Sequence, residues 1–165
     1  MRGLSQLHLM EILSRIPLFH ELPGKELEMI LHMPSTFEEI KEGTYFIHEG
    51  ELEPYFYILL SGHAGVFYRQ HFLFSLGPGD FIGEVGFICN KPRIASVVAE
   101  SDLVVMRIDS QKFAQLPFTV RDPIKDKIMA GLVVRLCQLN DTLVDLREAL
   151  PPPSEVKYGE SLGSE

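Results

Sequence analysis

Between Phe37 and Ile108 the chain leaves no room for a long helix. Tyr45-Phe46-Ile47, Tyr55 to Leu60, Ala64 to Tyr68, Phe72 to Leu76 and Leu103 to Ile108 are short apolar or aromatic runs. Turn formers separate them: Glu42-Gly43, Glu49-Gly50, Ser61-Gly62, Gly77-Pro78-Gly79-Asp80, Lys91-Pro92 and Ser101-Asp102. Glycine and proline at these intervals interrupt a helical hydrogen-bond ladder before it can propagate, while runs of this length suit strands. No strand–helix alternation appears, which disfavours a parallel sheet. The pattern predicts an antiparallel sandwich or roll of about eight strands.

Helical spacing flanks the strand-rich region. Leu4, Leu7, Met10 and Leu13 repeat at i, i+3, and Leu27, Ile30 and Leu31 share one face. Pro17 and Pro23 divide these pieces, with Leu18, Phe19 and Leu22 between them as a hydrophobic clip. Helical spacing returns at Pro123, through Ile124, Ile128 and Leu132. Leu136, Leu139, Leu143, Leu146 and Leu150 then follow at 3, 4, 3, 4, an a/d seam that predicts a parallel two-stranded coil and hence a homodimer. Pro151-Pro152-Pro153 stops the helix and a polar tail follows. The boundaries read are 1–36 for the N-terminal helices, 37–112 for the roll, 113–150 for the C-terminal helical region and 151–165 for the tail. The fold class is mainly β with flanking α-helices: an antiparallel β-roll of jelly-roll type, short N-terminal helices and a long C-terminal helix.

Charge and composition narrow the function. The net charge is −8. Residues 1–118 carry nine Lys/Arg against fifteen Asp/Glu, residues 119–150 five of each, and the tail one against three. No basic stripe runs along any segment, which argues against nucleic acid as a partner. Glu38 to Glu53 holds six Glu and one Lys and reads as a solvated rim of loops, without the Asp/Asn-Gly spacing of a calcium site. No stretch reaches the roughly 18 apolar residues of a membrane span. Cys89 and Cys137 belong to no CxxC or Cys/His cluster, and two free thiols fit a reducing, cytoplasmic setting.

The chemistry concentrates in Gly77 to Ala99, GPGDFIGEVGFICNKPRIASVVA. It reads as a strand, a compact turn or short helix, and a return strand. Backbone N–H groups of Gly83, Val85 and Ala95, together with a helix N-terminus, suit an anion. Small residues at Gly83, Gly86 and Ala95 let a ligand approach the backbone. Arg93 offers a planar cationic fork to a phosphate, and Glu84 accepts from hydroxyls such as those of a ribose. A cationic fork, an acceptor and a backbone nest describe a sugar-phosphate site.

Gly83-Glu84-Val85-Gly86-Phe87 followed by Pro92-Arg93-Ile94-Ala95-Ser96-Val97 resembles the phosphate-binding cassette of the cyclic nucleotide-binding domain family. That family includes the bacterial catabolite-activator superfamily and protein kinase A regulatory subunits. The resemblance extends over about residues 10–150, through Leu18-Phe19, Gly43, Glu49-Gly50, Gly62, Gly79-Asp80 and Phe113. It implies that Glu84 binds a ribose 2′-hydroxyl and Arg93 the phosphate oxygens. Gly83, Val85, Ala95 and Ser96 would add backbone or hydroxyl contacts. Ile94, where a threonine would favour guanine, points to cAMP as the ligand, with cGMP as the second candidate. By the same resemblance the long helix dimerises or caps the ligand, and Asn140 is a candidate base contact. Only fifteen residues follow Leu150, so no winged helix-turn-helix is expected within this chain. The implied role is a non-enzymatic cyclic nucleotide sensor with no cofactor, acting on an effector protein the sequence does not identify.

Two other readings stay open. The same fold can serve as a ligand-free protein-interaction module, with Glu84 and Arg93 as a buried ion pair. His48, His63 and His71 with Glu49 form the remote alternative of a cupin-like metal site, without matched ligand spacing. Tyr45, Tyr55, Tyr57 and Tyr68 read first as strand packing and second as base-stacking platforms.

Overall fold

The computed structural model describes residues 5–149 except Glu21 and Ser35. Leu4, Leu150, the three consecutive prolines and the tail lie outside the described residues. Three short helices, α1 (Gln6–Ser14), α2 (Pro17–His20) and α3 (Gly24–Leu31), precede the strands. Ser5 caps α1, its hydroxyl accepting from the His8 amide. The apolar face of α1 differs from the expected one. Leu9, Ile12, Leu13 and Ile16 are buried, whereas Leu7 is 79% exposed and Met10 46%. The sequence contains both sets, and only Leu9 to Ile16 follows the i, i+3, i+4, i+7 spacing of a face wide enough to pack on a sheet.

Eight strands follow: β1 (Phe37–Ile40), β2 (Tyr45–Ile47), β3 (Tyr55–Ser61), β4 (Ala64–Tyr68), β5 (His71–Leu76), β6 (Phe81–Ile82), β7 (Ser96–Ala99) and β8 (Leu103–Asp109). They form two four-stranded sheets of order β1-β8-β3-β6 and β2-β7-β4-β5. Every pairing is antiparallel. This is the expected antiparallel β-roll. The sheets enclose a core that includes Ile47, Tyr57, Leu59, Val66, Ile82 and Val97.

β3 reads YFYILLS without polar alternation because both of its faces are covered. Tyr57 and Leu59 point into the core between the sheets. The Phe56 ring, on the other face, meets Phe81, Phe87 and Phe113 at centroid distances of 6.1, 5.0 and 6.2 Å. α4 (Glu84–Cys89) and α1 pack on β3, and α5 (Ser110–Gln115) packs on β8.

α6 (Phe118–Ala149) starts five residues before Pro123, which the sequence reading took as its first residue. The amides of Val120 and Arg121 both donate to the Pro117 carbonyl and close its first turn. Pro123 sits inside the helix. Val120, Ile124 and Ile128 are buried. The chain divides into two compact units between Ile128 and Met129. In the second unit Leu136, Leu139, Leu143 and Leu146 are all more than half exposed.

Candidate functional site

β6, α4 and β7 form the strand, short helix and return strand expected of Gly77 to Ala99. The entry turn is held by Asp80, whose carboxylate accepts from the Gly77 amide at 2.9 Å. Gly83, at φ 78°, turns the chain from β6 into α4. That positive φ favours glycine, and a second constraint enforces it: a Cβ on Gly83 would overlap the Arg93 guanidinium. Asn90 ends α4 in the left-handed region. The returning loop is then pinned to the segment after β2. Gly50 N–H donates to the Arg93 carbonyl at 2.9 Å, and Arg93 N–H to the Glu51 carbonyl at 2.8 Å.

These contacts fix the Arg93 backbone, and its side chain turns inward. Arg93 is 3% exposed. Nη1 donates to the Gly83 carbonyl at 2.5 Å and Nη2 to the Tyr55 carbonyl at 2.6 Å. Nε and Nη2 both reach Glu53 Oε2 at 3.4 Å. The Tyr55 hydroxyl donates to the other oxygen of the same carboxylate. Burial, and then the hydrogen bond to Glu53, hold that hydroxyl protonated well above the ordinary phenol range. The Tyr55 ring also takes the Arg93 Cζ at 5.3 Å and the Arg107 Cζ at 3.9 Å from its centroid, so two cations contact one ring. Arg107 in turn reaches Glu38 at 3.4 Å.

The structure brings most of the predicted site residues together. Gly83, Glu84 and Val85 form the start of α4, with Glu84 2% exposed and engaged, and Arg93 lies against Gly83. A carboxylate in the first turn of a helix is favoured by the helix dipole. Ala95 packs on the core between the sheets. The Ser96 hydroxyl accepts from the Glu49 amide at 2.9 Å, so part of its capacity serves the protein. Ile94 is 60% exposed beside this pinned loop. Asn140 is exposed on the second unit. Tyr57 is buried, Tyr45 stacks on His48 at 6.3 Å, and Tyr68 carries Arg69 over its ring. Among the described residues no group of three His, Cys, Asp or Glu side chains is placed to hold a metal ion.

Three residues differ from the sequence reading. Glu53 belongs to the acidic stretch taken as a solvated rim, yet it is half-buried and ion-paired to Arg93. Glu38, at the other end of that stretch, is paired to Arg107, while Glu39, Glu42, Glu49 and Glu51 are exposed as expected. Tyr55 supports an arginine as well as packing in a strand. The only local signal for Glu53 and Tyr55 is their position at the mouth of the longest unbroken apolar run, Tyr55 to Leu60.

Residues 37–119 match the family described as the cyclic nucleotide-binding domain. The chain is similar to a cGMP-dependent protein kinase of Plasmodium berghei, 29% identical over 140 residues, covering 84% of this chain and 15% of the kinase. It is also similar to a cAMP-dependent protein kinase regulatory subunit of Hypocrea atroviridis, 34% identical over 104 residues, covering 63% of this chain and 22% of the subunit. The chain therefore spans less than a quarter of the length of either relative. Among solved structures, PKAR CBD2 bound to Sp-2Cl-cAMPS superposes with a TM-score of 0.65 at 24% identity, covering 83% of this chain and 90% of that one. The Thermus thermophilus catabolite activator protein gives a TM-score of 0.58 at 27% identity, covering 80% of this chain and 63% of that one.

Proposed function

The chain belongs to the cyclic nucleotide-binding domain family, and from that premise we propose that it is a regulatory module whose ligand is cAMP. Arg93 and the first amides of α4 take the cyclic phosphate, and Glu84 takes the ribose 2′-hydroxyl. Gly83, Val85, Ala95 and Ser96 supply the close wall, and Ile94 flanks the base. Asn140 is a candidate base contact. The module performs no catalysis and needs no cofactor. It relays occupancy through α6 to an effector protein, acts as a homodimer through the leucine seam of that helix, and works in the cytoplasm.

One observation carries this reading. Glu84 and Arg93 are among the three buried polar or charged residues of the described chain, and both lie on the two halves of one cassette. Burying two ionisable side chains is costly unless each is compensated. A chain that needed only a tight turn would gain more from apolar residues there.

Calorimetric titration of the purified protein with cAMP and with cGMP tests the reading. The expected result is saturable binding with cAMP at least as tight as cGMP, because Ile94 offers a guanine no hydrogen bond. Tenfold tighter cGMP would overturn the base assignment, and no binding of either would overturn the ligand.

The ligand-free interaction module is a second reading, and one observation favours it. Arg93 already donates to two carbonyls and a carboxylate of its own chain. Under that reading Arg93→Ala lowers stability and nucleotides leave the melting temperature unchanged.

A further inference from the structure

Arg93 and Glu84 are the buried charges of the cassette, and a second carboxylate, the half-buried one of Glu53, reaches Arg93. Glu84 has a place in the proposed ligand scheme, as acceptor of a ribose hydroxyl. Glu53 has none. It lies 40 residues before Arg93 in the chain, and its carboxylate meets the guanidinium along the Nε–Nη2 edge at 3.4 Å. That edge is one by which arginine presents two parallel N–H groups to a phosphate.

The pair is placed to matter. The Arg93 side chain is 2% exposed and that of Glu53 24%, so solvent screens the pair less than a surface pair. The carboxylate is also held in position, because its second oxygen accepts from the Tyr55 hydroxyl. A phosphate that reaches Arg93 must displace this carboxylate or sit beside it. Displacement strands a half-buried negative charge, and coexistence places two negative charges around one guanidinium.

We infer that Glu53 is a built-in anionic competitor at the phosphate site, and that it sets how strongly the site prefers a charged nucleotide to an uncharged nucleoside. This inference rests on the cyclic nucleotide reading above. Its signature is charge-selective. Removing the Glu53 charge strengthens binding of any ligand carrying a phosphate on Arg93. The same change leaves a neutral nucleoside, which has no group for that position, where it was. Tyr55→Phe, which frees the carboxylate from one of its anchors, should move affinity in the same direction by a smaller factor.

Glu53→Gln keeps the volume of the side chain and an oxygen acceptor for the Tyr55 hydroxyl. The experiment is calorimetric titration of the unmutated chain and of Glu53→Gln with cAMP and with adenosine, at low and at physiological salt. The expected result is about tenfold tighter cAMP for the variant, with the gain shrinking as salt rises, since one like charge has left the neighbourhood of a bound anion. Adenosine affinity should be the same for both proteins. Equal or weaker cAMP binding by the variant overturns the inference while leaving the ligand reading intact. An equal gain for adenosine overturns it too, because the effect would then be one of space. Binding of cAMP by the variant alone supports it, with the competitor dominating in the unmutated chain. No binding of cAMP by either protein removes the ligand reading and the inference together. If Glu53→Gln does not fold, Glu53→Ala is titrated in the same way, with the same outcomes deciding.

Discussion

The β-roll and the distal half of α6 treat their apolar residues in opposite ways. In the roll, Phe56, Ile58, Leu59, Val105 and Ile108 are fully buried, and the two charged cassette residues are buried with them. In residues 129–149, Val133, Val134, Leu136, Leu139, Leu143 and Leu146 are each more than half exposed. The roll completes its own core, because two sheets and the helices packed on them cover both faces of β3. A single helix has no second layer, so its apolar side chains stay in water until something else covers them. Similar hydrophobic content therefore does different work: cohesion in one region, availability in the other.

That contrast is tested most severely at the centre of the roll. Phe56→Ala removes a ring held between β6, α4 and α5, and should cost about 3–5 kcal/mol of unfolding free energy in denaturant titration. A loss below about 1 kcal/mol, the range of an exposed substitution, would mean that the roll is not the self-contained core described here.

Next comes the buried charge. Arg93→Ala should weaken cAMP binding by about 2–5 kcal/mol, because it removes one side of a charge-assisted contact. Arg93→Lys should recover only part of the loss, since lysine offers a point charge and no planar fork. Full recovery by lysine would show that geometry at this position does not matter.

The distal helix should respond in the opposite sense. Leu139→Asp combined with Leu146→Asp should leave the unfolding free energy of the roll within about 0.5 kcal/mol, as surface changes do. In sedimentation the same variant should be a monomer where the unmutated protein is a dimer. An unmutated protein already monomeric at tens of micromolar would leave the seam without a second copy to cover it.

The smallest expected effect is on the rim of the roll. The Asp102 carboxylate accepts from Lys41 Nζ at 2.6 Å and from the Glu42 amide at 3.0 Å. The Lys41 hydrogen bond, then the amide, hold its carboxyl below the ordinary value of 3.8. A folded-state pKa below the unfolded one gives stability that is present above the unfolded value and lost as pH falls through the folded one. The melting temperature of Asp102→Asn should thus lie slightly below that of the unmutated chain at pH 7, and the gap should narrow as the pH falls below the ordinary value of 3.8. A gap that stays constant over this range would assign the effect to something other than the carboxylate charge.

Much of this was legible because it is written locally. Turn residues at short intervals mark the strands, and the glycines with positive φ at Gly43, Gly50, Gly62, Gly79 and Gly83 all fall in or beside sequence turns or the cassette. The cassette was legible because the residues that build it are contiguous from Gly77 to Ala99. The start of α6 was misplaced because Pro123 marks a helix start by local rules, while Pro117 closes the first turn. The face of α1 was misassigned because a nine-residue helix rich in Leu, Met and Ile offers more than one apolar stripe, and the sheet beneath selects among them.

The sequence by itself determined the class of fold, the order of its parts and the placement of Glu84 and Arg93 in one cassette, since turn chemistry, side-chain period and a contiguous motif act over a few residues at a time. Only the tertiary structure decided what Arg93 touches. Glu53 and Tyr55 reach it from 40 and 38 positions away, and Arg107 meets Tyr55 because β8 lies beside β3. Contacts of that separation follow from which strands pair and in what register, and a linear pattern carries no record of distance across a sheet.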